Sequence, residues 1–382
     1  MLLPFAVTRL LLAAVAWIGF QIFPFSAKPD KWEIGRTGMI VPTNGGAFSG
    51  SHRFVNMWSR WDSEWYLSVA QRGYSFNPGR DSNVAFFPLY PIAVRALHAV
   101  MPWASDAGWL CVGILLSNLS LVVALAYLHR LVRLDYDEAL ATRAVLYLCL
   151  FPTTFFLSAF YSESLFLAVA VSAFYYARRS RWILAGCLAG VATLGRPPGG
   201  LVGVALALEY FAQKKFRWRA IRADCLALAL VPLALFGHLA FLRWRFGDWS
   251  VLSKAESVAH WSRKFTPPWI TLGTFFQRPH LGAGTHDSYL DLLATLGLLG
   301  LTTYSLFRLR LSYAFYASIT LLFLLSWRSL NSMPRFAVAI FPIMIALALL
   351  GRSVIFHRAY VVISGGIALG CMIAFSHWVW LG

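Results

Sequence analysis

Apolar segments long enough to cross a lipid bilayer recur along the whole chain, at 10–26, 108–129, 143–159, 162–177, 181–195, 199–213, 222–242, 287–306, 312–327, 336–351 and 359–380. A hydrocarbon core of roughly 30 Å takes about 20 helical residues, and within it every backbone polar group must be satisfied inside the segment. The chain therefore reads as an all-α polytopic membrane protein of about 11 transmembrane helices, with 1–382 forming a single membrane domain. Composition agrees. Hydrophobic residues make up 59% and charged ones 13%, with a mean hydropathy of +0.62, which excludes a soluble domain with one anchor. Residues Leu10 to Phe25 resemble the core of a signal peptide, but Pro24, Phe25 and Ser26 form no small-residue cleavage site, so the segment is read as a retained first span.

The net charge of +17 would point to nucleic acid in a soluble protein. Here the basic residues are dispersed in short loops between apolar runs, where they set topology. Arg130, Arg133 and Arg143, then Arg178, Arg179 and Arg181, then Lys214, Lys215, Arg217, Arg219 and Arg222, then Arg308 and Arg310, and finally Arg352 and Arg358 occupy alternate loops, which are expected to be cytoplasmic. The N-terminus, marked by Arg9, falls on the same side and the C-terminus on the other. Two long loops, 27–107 and 243–286, then lie on the outer face. The apolar segment 85–103 would invert everything after it if it crossed the membrane, so it is expected to be an interfacial or re-entrant helix entered through Pro88 and Pro91. The five cysteines show neither CxxC pairing nor metal-ligand spacing, and read as ordinary membrane-core residues.

The first outer loop contains RWDSEWYLSVAQRGY, Arg60 to Tyr74, which sets two acids and two arginines among large aromatics. A helix over Asp62 to Gly73 along the membrane surface would carry Trp65, Tyr66, Val69 and Ala70 on one stripe. Asp62 is then either a plain N-cap or a general base beside Trp58, Trp61 and Trp65, whose faces suit a sugar. Glu64, about 200° away around the helix, reads as a solvated first-turn acid and a poor chelating partner for Asp62. A second cluster, AFYSESLF, puts Glu163 at the outer mouth of a hairpin, either as an acid at membrane depth or as the first-turn residue after a Ser162 cap. A third, SWRSLNSMPRF, brings Arg328 and Arg335 to the outer interface, to bind phosphate or to snorkel to headgroups. Lys254, His260, Arg263 and Lys264 add basic charge near Trp249, Trp261 and Trp269 in the second outer loop.

Trp61 and Asp62, then Gly73 and Tyr74, then AFFPLYP at 85–91, YSESLF at 161–166 and Gly195 with Arg196, together resemble the PIG-V family of mannosyltransferases. MPRFAVAIFP at 333–342 is similar to a segment common near the end of polytopic glycosyltransferases. The resemblance implies the GT-C fold, a polyprenyl-phosphate sugar as donor, and a site at the first outer loop. It makes Asp62 the expected base. Trp61, Trp65, Tyr66, Tyr74, Phe87, Tyr90, Glu163 and Arg196 become the substrate-binding candidates, and Arg328, Arg335, Lys254 and Arg263 the candidates for the donor phosphate.

Chemistry supports the same roles without the name. A sugar on polyprenyl phosphate is already activated, so the leaving phosphate needs cationic donors more than it needs a proton. The acceptor hydroxyl needs one carboxylate in line, which suffices for an inverting displacement. The expected activity is transfer of mannose from polyprenyl-phosphate mannose to an acceptor hydroxyl outside the cytoplasm, with no cofactor and with a divalent metal left open. The expected partners are that donor, an unidentified glycan, lipid or protein acceptor and membrane lipids, with no nucleic acid. A transporter or flippase of a lipid-linked or anionic substrate is the main rival, and a non-catalytic partner of another glycosyltransferase a third reading. Short loops suit a bacterial inner membrane better than the endoplasmic reticulum.

Overall fold

The computed structural model describes residues 2–22, 53–101, 106–257, 263–277 and 287–381. The expected loop segment 27–52, and His260 and Trp261 of the second loop, lie outside the described residues. Among the described residues the secondary structure is helical, apart from an isolated antiparallel bridge between Phe265 and Trp327. Among the described residues five helices are long and apolar enough to cross a membrane: Leu2–Ile22 (α1), Ala107–Val132, Ala223–Phe246, Tyr289–Arg308 and Val354–Ser376. They turn apolar side chains outward, with Leu10 71%, Leu233 59% and Val362 73% exposed, as lipid-facing helices do. The expectation of a multi-spanning all-α protein is met to this extent.

Between the long helices lie shorter ones. In chain order after α1 they are Arg53–Asn56 (α2), Ser63–Arg72 (α3) and Leu89–Val100 (α4), followed by the long Asp106–Val132 (α5). Glu138–Cys149 (α6), Glu163–Arg178 (α7), Trp182–Thr193 (α8) and Gly199–Gln213 (α9) form the centre. Leu230–Phe246 (α10), continuous with a 3-10 turn over Ala223–Ala229, leads through Val251–Glu256 (α11) and Pro268–Gln277 (α12) to Tyr289–Arg308 (α13). Leu311–Leu325 (α14), Met333–Ala337 (α15), Phe341–Leu350 (α16) and Val354–Ser376 (α17) complete the chain.

The α8 helix is lined with small residues, and this sets how closely its neighbour can approach. A Cβ on Gly186 would stand 2.3 Å from the Ala227 carbonyl oxygen, and one on Gly190 3.1 Å from that of Leu230. Glycines four apart thus admit the backbone entering α10, the close packing that membrane helices use in place of a hydrophobic drive. The α4 helix has 12 residues, about 18 Å at 1.5 Å per residue, within the segment 85–103 that was expected not to cross. It docks on α3 and α5 instead, with its Leu89 amide bonded to the Leu194 carbonyl at the end of α8.

Two expectations fail here for clear reasons. The span expected over 143–159 is a helix only to Cys149, because Pro152 stops it, and a 3-10 turn over Thr154–Leu157 follows. Arg9, expected as a marker of the cytoplasmic end, is buried within α1 and serves that break. Its Nη2 donates to the Cys149 carbonyl at 3.0 Å and to Thr154 Oγ1 at 2.9 Å, and its Nη1 donates to the Thr154 carbonyl at 3.0 Å. Carbonyls released by a broken helix find no water in the bilayer, and one guanidinium satisfies several.

The α3 helix also departs from expectation. It was expected to lie on the membrane surface with one wet face, yet Glu64, Tyr66, Leu67, Val69 and Ala70 are all buried. Glu64 is 9% exposed, so it is no solvated first-turn acid. Helices α4 and α5, the C-terminal end of α17 and the turn after Pro152 enclose this loop on most sides, a tertiary arrangement that helical periodicity does not encode.

Candidate active site

The chain turns sharply into α3 at Arg60–Trp61–Asp62. Trp61 has φ of 56°, a left-handed conformation that costs energy for a bulky residue and must be held by its surroundings. Tyr161 supplies the hold: its hydroxyl donates to the Arg60 carbonyl at 2.8 Å and accepts from the Asp62 amide at 3.1 Å. The Trp61 ring packs against Trp378 and Trp380, 5.9 and 5.4 Å between centroids. Arg60, fully buried beneath, donates to the Ser376 carbonyl at 3.0 Å and lies over the Trp378 ring. Burial pulls its guanidinium down to about 9, which leaves it charged at neutral pH.

Asp62 sits at the N-cap of α3 but makes no side-chain cap bond. Its carboxylate is paired with Arg335. Arg335 is carried by the short α15, which Pro334 helps to start, and Thr153 Oγ1 donates to the Pro334 carbonyl at 2.7 Å. Through Nε the same guanidinium holds Glu163, the first residue of α7. Glu163 in turn holds Arg196, in the turn between α8 and α9. Asp62, Arg335, Glu163 and Arg196 therefore form one line of alternating charge. Only Asp62 has appreciable side-chain exposure, 22%, against 4% for Arg335 and 0% for Glu163.

Aromatic rings surround this line. The Arg335 guanidinium lies 4.6 Å from the Tyr161 ring, 5.3 Å from Phe156 and 5.7 Å from Trp380, and Arg196 lies 5.3 Å from Phe336. Cations over ring faces are stabilised by the ring quadrupole where water is excluded. Arg335 is buried with Glu163 and Asp62 as its two counter-charges. Above the line opens a cleft of about 470 Å³, counting the space at its mouth, lined by Asp62, Tyr66, Phe86, Phe87, Arg196, Arg263, Trp327, Arg335 and Phe336 among others.

Of the residues expected at the site, the cleft gathers Asp62, Tyr66, Phe87, Arg196, Arg263 and Arg335. Glu163 lies directly beneath, and Ser162, expected as a possible cap, instead shares a 2.7 Å hydrogen bond with the Tyr66 hydroxyl. Arg263 reaches the rim from the segment between α11 and α12, paired with Glu256 at 2.9 Å and lying over the Trp327 ring. Other candidates fall outside the cleft. Trp65 stacks on Phe86 behind its wall. The Tyr74 hydroxyl donates to the Phe86 carbonyl at 2.7 Å, and burial raises its phenol above the ordinary value, so it stays a neutral donor. Tyr90 is buried, donating to the Gly113 carbonyl. Arg328 is exposed, and Lys254 is exposed and paired with Asp248 at 2.6 Å.

Four residues of this setting carried little signal in the sequence: Phe156, Trp327, Phe336 and Trp380. Each is one aromatic in a chain with 30 Phe and 16 Trp, so type alone could not single it out. Among the described residues no three of His, Cys, Asp and Glu gather to hold a metal ion. The arrangement can take a proton at Asp62 and bind an anion at arginines that keep donors to spare. Arg196 makes no protein hydrogen bond among the described residues beyond its ion pair with Glu163, and Arg335 Nη2 none.

Residues 47–220 match the family model described as Mannosyltransferase (PIG-V), a stretch that contains Asp62, Glu163 and Arg196. GPI alpha-1,6-mannosyltransferase 2 of Rattus norvegicus is 32% identical over 207 residues, covering 49% of this chain and 41% of that protein. The Cricetulus griseus protein of the same name is 32% identical over 205 residues, covering 49% and 40%. The chain thus spans about two fifths of the length of the curated relatives it matches. The crystal structure of ArnT from Cupriavidus metallidurans bound to undecaprenyl phosphate is similar with a TM-score of 0.50 at 15% identity, covering 85% of this chain and 72% of ArnT. At that identity the likeness is one of fold. The motif resemblance to the PIG-V family is borne out over the matched stretch, and the helical fold is similar to that of ArnT. The matched relatives are animal proteins, so the expectation of a bacterial inner membrane draws no support from them.

Proposed function

From the PIG-V likeness of residues 47–220 as premise, we propose that the chain transfers mannose from polyprenyl-phosphate mannose to an acceptor hydroxyl, with inversion at the anomeric carbon. The observation that carries this reading is the line Asp62–Arg335–Glu163–Arg196 beneath an aromatic-walled cleft. Asp62, at the exposed end, removes the proton of the acceptor hydroxyl as its oxygen attacks. Arg335, Arg196 and Arg263 stabilise the phosphate as it leaves, through guanidinium forks matched to its oxygens. Tyr66, Phe86, Phe87 and Trp327 offer ring faces to the sugar. Glu163 keeps the two deeper arginines charged and aimed. The donor is proposed by its chemistry, since three arginines converge on one cleft and suit its phosphate.

In this reading the protein is one membrane domain of eleven spans. The helices α1, α5, α6 with the 3-10 turn after it, α7, α8, α9, the helix over Ala223–Phe246, α13, α14, α15 with α16, and α17 make up that number. Arg196 and Glu163 stand at the ends of α8 and α7 that meet the cleft, and Arg178 and Lys214 at the opposite ends of α7 and α9. With the basic ends in the cytoplasm, the N-terminus is cytoplasmic and the cleft opens on the non-cytoplasmic face.

The test is incubation of the purified full chain with radiolabelled polyprenyl-phosphate mannose and a membrane extract, followed by identification of the labelled product. Labelled glycan, lipid or protein supports the reading. Labelling that required GDP-mannose directly would refute the lipid donor, and movement of intact donor across vesicles without transfer would favour the flippase.

A further inference from the structure

Arg335 is claimed by two carboxylates of unequal standing. Glu163 is fully buried at the floor, takes the Nε side of the guanidinium and is shared with Arg196. Asp62 takes Nη1 at the cleft rim, where its side chain is 22% exposed. A buried acid stripped of its cation has no water to turn to, whereas an acid at the rim does. One partner of Arg335 is therefore fixed and the other exchangeable. The exchangeable one is the proposed base, and the space beside it is where the proposed phosphate would sit.

We propose that Arg335 is a shared counter-ion that passes from Asp62 to the donor phosphate, so that the base is released only when a lipid phosphate occupies the cleft. This rests on the reading of the cleft as a polyprenyl-phosphate sugar site. The charge balance of the reaction favours the exchange at every stage. The bound donor is a phosphodiester with one negative charge. As the acceptor oxygen bonds to the anomeric carbon, the bond from that carbon to the phosphate oxygen breaks and its electron pair stays on the phosphate, which gains a second negative charge. The hydroxyl proton goes to Asp62, which loses its charge and with it its need for Arg335. The guanidinium follows the negative charge from one anion to the other, and the total charge around it is unchanged. Without donor, Asp62 stays latched, which protects an open cleft from idle proton transfer.

The latch makes a counterintuitive prediction about binding. Farnesyl phosphate, as a short polyprenyl phosphate, is titrated calorimetrically into the detergent-solubilised full chain. Asp62→Asn removes the competitor for Arg335 and is expected to tighten binding about tenfold, the scale of one exposed charge-assisted contact. Asp62→Glu, which keeps the charge, is expected to stay near wild type. Simple repulsion between Asp62 and phosphate would also tighten binding, but independently of Arg335. The gain from Asp62→Asn is therefore measured again in an Arg335→Gln background, where the latch predicts that it disappears. A gain that survives there, or no gain in the wild-type background, overturns the latch and leaves the transferase reading standing. Failure of the wild-type chain to bind farnesyl phosphate at all removes the donor reading, and the latch with it. Asp62→Ser replaces the Asn variant should the latter not fold.

Discussion

Glu209 and Arg310, 101 residues apart, meet as a two-pronged ion pair, with Nε and Nη2 at 2.8 and 2.9 Å from the two carboxylate oxygens. Ser312 Oγ and Gln213 Nε2 donate to the same carboxylate at 2.6 and 2.7 Å, and Arg178 lies 3.5 Å from it. This fully buried acid ties α7, α9 and the start of α14 together at the end of the bundle away from the cleft. It resembles Glu163 in burial and in having two arginines, but it does not line the cleft.

Glu209→Gln is therefore expected to act on stability alone. Removing the charge leaves two guanidinium groups facing a neutral amide, a change that costs about 3–5 kcal/mol when a buried pair is broken. A lowered Tm in detergent, with KM for the lipid donor unchanged in the protein that remains folded, is the expected result. Glu209 stands ten residues along α9 from Gly199, about 15 Å from the cleft at 1.5 Å per residue. A raised donor KM with normal Tm would contradict this purely structural role.

Within the cleft the two acids should separate by their position on the line. Asp62→Asn, at the exposed end, is expected to lower kcat by about 10²–10⁴-fold, the range for losing a general base, with little change in Tm. Glu163→Gln, at the floor, is expected to lower Tm and transfer together, because Arg196 and Arg335 lose the charge that fixes both. Full transfer activity of the Asn variant in membranes would sink the base assignment. A Glu163→Gln protein with wild-type Tm would show that its arginines need no buried partner.

These residues also mark what a sequence can and cannot tell. The apolar runs are legible because bilayer thickness and helix rise fix what length must mean. Asp62, Glu163, Arg196 and Arg335 stand out as types, since charge in an apolar chain is costly. Their pairing is not legible: Asp62 and Arg335 are 273 positions apart, and nothing in either segment names the other. Arg9 misleads for a related reason. A single arginine near a helix end looks like a topology marker, and only the break at Pro152 makes it a plug for stranded carbonyls. Tyr74 and Tyr90 belong to the motif that resembles the family, yet their hydroxyls donate to the Phe86 and Gly113 backbone carbonyls and do not reach the cleft.

Arg9→Leu should therefore unfold the protein more readily than its place near the chain start suggests. The Cys149 and Thr154 carbonyls and the Thr154 and Ser158 hydroxyls lose their donor. Each buried group left unsatisfied costs about 1–3 kcal/mol, so the expected result is a large drop in Tm or failure to accumulate. Arg9→Lys, with a donor head but no planar fork, should recover part of the loss. Equal stability of the Leu variant would mean that the broken helix end is satisfied by some other group.

Asp287 does not line the cleft, but it holds the loop that leads into the helix carrying Arg335. Its Oδ1 accepts from Ser329 Oγ at 2.5 Å, from the Leu330 amide at 3.1 Å and from the Asn331 amide at 3.0 Å, gathering the tight loop that launches α15. That loop holds Arg328 and Ser332 at positive φ, 31° and 76°, conformations that need an outside restraint. Trp380 adds a second tie, its Nε1 donating to Asn331 Oδ1 at 3.0 Å. Asp287→Ala frees the loop and lets the α15 guanidinium drift, and an error of about 1 Å in a charged group can cost on the order of 10²-fold in rate. The expected result is a fall in kcat and a weaker hold on lipid phosphate, with only a small loss of Tm because the helices on either side keep their packing. Asp287→Asn retains an acceptor oxygen and should recover most of the activity. If the Ala and Asn variants fell equally, it would be the charge of Asp287, and not its hydrogen-bond acceptance, that positions Arg335.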